Sequence, residues 1–102
     1  MDGFKQKECQ MKEVLLGIDI GTSACKVAIF RKNGEAVAAA SKDYNVYYPK
    51  PGYAEQDPDE WWKAVCKATK ECLQKGGIEP ADIAGIGVDG QSWSAVAIDR
   101  QG

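Results

Sequence analysis

Asp19-Ile20-Gly21-Thr22-Ser23, followed closely by Lys26, is the part of this sequence best suited to chemistry. An acidic residue that closes an apolar run has two uses: it caps the next turn, or it holds a hydrated cation. Magnesium keeps several of its waters and is commonly bound through one or two carboxylates plus substrate phosphates. Gly21 lets the backbone approach a phosphate closely, while Thr22 and Ser23 add hydroxyl and N–H donors. A second candidate is Gln91, which follows an apolar run and Gly90. Its amide then sits at the carboxyl end of a strand, where ligands of α/β sheets bind. An amide both donates and accepts, which suits a polyol.

Other chemistries are excluded by composition. The 102 residues include no histidine, so a Ser-His-Asp triad, a Cys-His pair and every His-based metal site are absent. Thirteen basic and 15 acidic side chains give a net charge of −2, which offers no electrostatic footprint for nucleic acid. Cys9, Cys25, Cys66 and Cys72 lack C-x-x-C spacing, and they read as reduced, small apolar residues rather than zinc ligands or disulfides. No apolar run approaches the ~18 residues of a membrane span. Residues 1–10 are polar and lack the apolar core of a signal peptide, so a cytoplasmic location is expected.

The length suits one small domain. Residues 1–12 read as a leader, with Met11 a possible alternative start. Val14 to Ile20 is a near-continuous apolar run, the pattern of a strand buried on both faces. A turn at Gly21-Thr22-Ser23 leads into a second, antiparallel strand over Ala24 to Arg31. Asn33-Gly34 is a strong hairpin signal, and a third strand runs from Glu35 to about Tyr44.

After a loop punctuated by Pro49, Pro51 and Gly52, Asp57-Pro58-Asp59-Glu60 starts a helix. Asp57 caps, and proline takes the first helical position. Trp61, Trp62, Val65, Cys66, Ala68, Thr69, Cys72 and Leu73 share one arc of that helix, which Gly76-Gly77 ends. A fourth strand follows over Ile83 to Val88, parallel to its partner after the helical crossover. A further strand is expected over Ser94 to Asp99, then a turn at Arg100-Gln101-Gly102. The order is β-β-β-α-β-β.

The Asp19-to-Ser23 turn and the Asn33-Gly34 hairpin resemble the phosphate-binding start of the actin-like ATPase (ribonuclease H-like) fold. Pro51-Gly52-Tyr53-Ala54-Glu55-Gln56-Asp57-Pro58-Asp59-Glu60-Trp61-Trp62 resembles the PGWxEQDPxxWW stretch of FGGY-family carbohydrate kinases. Ile86-Gly87-Val88-Asp89-Gly90-Gln91 is similar to that family's IGVSGQ strand end. Within the family, xylulose kinases look closest.

The resemblance implies an incomplete α/β domain over residues 13–102, the amino-terminal part of a sugar kinase. It implies ATP and Mg2+ as cofactors, with Asp19 toward the metal and Gly21, Thr22, Ser23 and Lys26 toward the nucleotide. The partners would be a small sugar and ATP, and a homodimer of the full-length parent fits the family. Asp57, Pro58, Trp61 and Trp62 are explained as helix start and core anchors. Glu55 and Gln56 are not needed for capping and are candidates for the sugar side of the cleft. Tyr53 takes the aromatic position of that loop and staples it.

By resemblance Gln91, Ser92 and Trp93 face the sugar. Xylulose kinases more typically carry Met-His after the glutamine and glycerol kinases Arg-Glu, so Ser92-Trp93 leaves the sugar open. Trp93 either stacks on a sugar C–H face or joins the core. The family's general base is expected beyond Gly102, so the segment alone should be inactive. The competing classes are a non-catalytic truncated module and a different actin-like ATPase or phosphotransferase.

Overall fold

Four strands, β1 (Val14–Ile20), β2 (Ala24–Arg31), β3 (Ala36–Asp43) and β4 (Ile83–Gly90), make one sheet in the order β3-β2-β1-β4. This computed structural model describes residues 13–102. The expected leader over residues 1–12, with Cys9 and Met11, lies outside the described residues. The expected directions hold: β1–β2 and β2–β3 are antiparallel, and β1–β4 is parallel. At the second hairpin Gly34 takes φ 90°, and Asn33 Oδ1 accepts from the Glu35 N–H at 3.0 Å.

The parallel pairing needs a crossover, supplied by helix α1 (Pro58–Gly76). Asp57 caps it, its side chain accepting from the Asp59 N–H at 3.0 Å, and Pro58 takes the first turn, where its missing N–H is harmless. Gly77 ends it at φ 62°. A short 3-10 turn, Pro80–Asp82, leads into β4.

Strand alternation decides what is buried. Val14 and Leu16 of β1 and Cys25, Val27 and Ile29 of β2 point to the helix side and meet Ala64, Val65, Ala68 and Cys72. Burial pushes the Cys25 and Cys72 thiols up, so both stay neutral and act as small apolar residues, as expected. The other face carries Leu15, Gly17 and Asp19 opposite Phe30, Ala28 and Lys26. Burial of β1 on both faces does not hold among the described residues: Leu15 is 42% exposed.

Helix α1 lies over β2 and β3 and barely reaches β1. Its buried line is therefore rotated toward Ala64 and away from Trp62. Trp62, expected as a core anchor, is 68% exposed. The helix does not cover β4, so Ile86 and Val88, which share the helix-side face, are also exposed.

The strand expected over Ser94 to Asp99 is not formed. A strand exists only with a hydrogen-bonded neighbour, and among the described residues none runs beside this segment. The terminal turn is present, with the Gly102 N–H donating to Asp99 O at 3.2 Å.

Candidate functional site

The β1–β2 turn projects from the sheet end where β1 and β4 both finish. The Gly21 N–H donates to Ala24 O at 3.0 Å, and a Cβ on Gly21 would stand 3.0 Å from that same oxygen. Glycine is what allows so tight a turn.

Three side chains from three segments hold the turn's carbonyls. Tyr44, just after β3, donates its hydroxyl to Gly21 O. Gln91 Nε2 donates to the same oxygen at 3.2 Å and to Gln56 Oε1 at 3.3 Å. Gln56 Nε2 donates to Thr22 O at 2.6 Å. Backbone bonds brace both flanks, from the Gln91 N–H to Ile20 O at 3.1 Å and from the Tyr44 N–H to Ser23 O at 3.2 Å. Thr22 and Ser23 donate no backbone hydrogen bond among the described residues.

Tyr44 was not among the sequence candidates. Its signal was weak: an aromatic ending a strand, whose hydroxyl needs a partner once the ring is buried. Here the ring is 8% exposed and packs against Trp61, with centroids 6.4 Å apart.

Asp19 and Asp89 are direct partners in the parallel ladder. The Asp19 carboxyl beside it raises the Asp89 carboxyl above the usual range, first because a proton held on Asp89 can be shared with Asp19 and then by charge repulsion. Asp89 too was absent from the candidate set. The signal was legible, because Gly17-Ile18-Asp19 and Gly87-Val88-Asp89 are the same pattern on two strands that pair in parallel.

Two adjacent carboxylates suit a hard, oxygen-seeking cation completed by phosphate oxygens and water. Magnesium thus fits the donor set, although no cluster of three or more His, Cys, Asp or Glu side chains gathers among the described residues. Lys26 faces Asp19 across the β1–β2 ladder, and no ion pair joins them among the described residues. The three charged residues line one end of an open depression of about 490 Å³ floored by Gly17, Ala28 and Gly87.

The other sequence candidates are less gathered. The Glu55 backbone pairs with Tyr47, whose N–H donates to Glu55 O at 2.7 Å, and the Glu55 side chain makes no hydrogen bond among the described residues. Ser92 is exposed. Trp93 is fully exposed at φ 63°, so it does not join the core. Tyr53 is exposed, with the Lys50 ammonium 5.6 Å from its ring centroid. A cleft of about 520 Å³ runs between Thr22, Gln56 and Trp61 on one side and Ser94 to Ala97 on the other. Gln91 borders an adjoining cleft with Trp61 and Asp89.

The sequence pattern described as "FGGY family of carbohydrate kinases, N-terminal domain" matches residues 14–102. A xylulose kinase of Staphylococcus epidermidis is 39% identical over 92 residues, which are 90% of this chain and 18% of that protein. A glycerol kinase of Bacillus thuringiensis is 36% identical over 90 residues, 88% of this chain and 18% of that protein. Among solved structures, the xylulose kinase of Rhodospirillum rubrum superposes with a TM-score of 0.77 at 30% identity, covering 88% of this chain and 18% of that one. A gluconate kinase of Lactobacillus acidophilus gives 0.69 at 37% identity, covering 78% and 15%. The chain thus spans 18% of the length of the curated relatives it matches.

Proposed function

This chain belongs to the FGGY family of carbohydrate kinases, within its N-terminal domain, and on that premise we propose that it forms part of an ATP-dependent sugar kinase. The reaction is transfer of the γ-phosphate of ATP to a hydroxyl of a small sugar, a pentulose such as xylulose, in the cytoplasm. The sugar kinases it resembles share the actin-like ATPase fold, of which these strands and α1 are a partial domain.

The observation that carries this reading is the meeting of the Gly21–Ser23 turn with Asp19 at the sheet end. The turn's N–H groups and the Thr22 and Ser23 hydroxyls receive phosphate oxygens, and Lys26 adds positive charge. Asp19 holds Mg2+, whose charge offsets that of the phosphates when bound. Gln91 and Ser92 face the sugar, Trp93 stacks on its C–H face, and Glu55 and Gln56 border that side of the cleft. The proton acceptor comes from residues outside this segment, so the 102-residue chain is inactive by itself. Positioning by several groups at once is what phosphoryl transfer requires, and a piece holding a few of them does not suffice.

The test is an assay of the intact kinase that carries this segment, with ATP and magnesium, against ketoses, aldoses and polyols. Turnover on pentuloses bears out the reading. Preference for glycerol moves the substrate toward polyols, and ATP hydrolysis with no sugar product overturns the kinase assignment.

A further inference from the structure

Gln56 and Gln91 reach the Gly21–Ser23 turn from different segments, and both do so as donors. A carbonyl oxygen only accepts, so each bond fixes which end of the amide faces the turn. The bonds run in series, from Gln91 Nε2 to Gln56 Oε1 at 3.3 Å and from Gln56 Nε2 to Thr22 O at 2.6 Å. Both ends of the Gln56 amide are therefore engaged. The Gln91 Oε1, by contrast, has no partner among the described residues.

In a trans peptide the carbonyl and the following N–H point in opposite directions. Holding the Gly21 and Thr22 carbonyls on the glutamine side turns the Thr22 and Ser23 N–H groups to the other side, where they meet no backbone acceptor among the described residues. We propose that Gln56 is a positioning residue that grips the Thr22 carbonyl and so presets these two N–H groups for an anionic oxygen of the phosphoryl donor. This rests on the kinase reading above and deepens it. Gln56 lies on the sugar side of the cleft but acts on the nucleotide. Gln91 does both, bracing the turn with its nitrogen and leaving its oxygen to accept from a sugar hydroxyl.

The test uses the intact kinase with Gln56→Ala and Gln56→Glu. The glutamate keeps the shape of glutamine but sets a carboxylate oxygen against the Thr22 carbonyl. Removing one such hydrogen bond is worth roughly tenfold, so KM for MgATP should rise about that much in Gln56→Ala and further in Gln56→Glu. KM for the sugar should stay within about twofold, because both ends of the Gln56 amide are already held within the fold by Thr22 and Gln91. A rise in sugar KM with an unchanged MgATP KM overturns the proposal, as does an equal rise in both.

A second measurement needs no substrate: hydrogen exchange of the Gly21 and Gln91 N–H groups, both bonded within the turn and its flank. Gln56→Ala should speed their exchange roughly tenfold, and unchanged exchange overturns the proposal. If the wild-type kinase phosphorylates no sugar while this exchange responds as stated, the kinase reading fails and the positioning role stands.

Discussion

The Gly21–Ser23 turn and the segment after Gln91 occupy the same end of the sheet. The turn's carbonyls receive hydrogen bonds from Tyr44, Gln56 and Gln91, and its flanks are tied by backbone bonds. From Ser92 to Ala97 the chain makes no hydrogen bond to the rest of the fold among the described residues, and every residue there is exposed. Both stretches join apolar runs and both carry small or hydroxylated residues. What separates them is the number of neighbours. The turn sits where three segments converge, while the later segment has no strand to pair with among the described residues. Local sequence supplies a willingness to adopt a conformation, and neighbours supply the reason to keep it.

The largest break in that comparison is chemical. In the intact kinase, Asp19→Ala should lower kcat by at least about a hundredfold, the range seen when a group stabilising developing charge is removed. The fold should survive, because Asp19 is exposed and contributes nothing to the core. Measuring kcat against magnesium concentration checks this, and the dependence should weaken. Unchanged kinetics would reduce Asp19 to a turn cap.

Next in size is the core. Ile29 is fully buried beneath α1, so Ile29→Ala should cost about 3 kcal/mol, while Val96→Ala in the exposed segment should cost less than about 0.5 kcal/mol. Urea denaturation of the intact kinase measures both. A comparable loss from Val96→Ala would show that the segment is packed after all.

The uncovered apolar surface should show itself in solution. Expressed alone, residues 1–102 should form no sugar phosphate and should associate, because Ile86 and Val88 are exposed on the helix-side face and Leu15 on the other, beside an edge of β4 that is unpaired among the described residues. Light scattering measures the oligomeric state. Val88→Lys should shift the chain toward monomer, and a monodisperse, active wild-type chain would sink this expectation.

The smallest effect concerns Asp89, whose carboxyl titrates above its ordinary value because Asp19 lies against it. The native state then binds more protons than the unfolded chain just above the ordinary carboxylate range. Stability therefore falls as pH rises through that window, the reverse of an ion-paired acid. Asp89→Asn should remove that fall and slightly raise the melting temperature at neutral pH. An unchanged pH profile would mean that solvent screens the pair.

Much of this was legible in residue order alone. β1 and β2 begin and end where their apolar runs do, and the Asp57-Pro58 start and Gly77 stop of α1 follow from capping chemistry. Such features depend on atoms a few residues apart. Asp19, Gly21 and Gln91 as a group were readable too, because each sits at the end of an apolar run. Which face of α1 would be buried was not, since that depends on where the helix lies over the sheet. Trp62 ended in solvent because α1 settled on β2 and β3.

The pairing of Asp19 with Asp89 and the grip of Gln56 on Thr22 join residues 70 and 34 positions apart. Side-chain type establishes that an amide can donate and a carboxylate can share a proton. Only the parallel register of β1 and β4, and the path of the loop before α1, decide what each one meets.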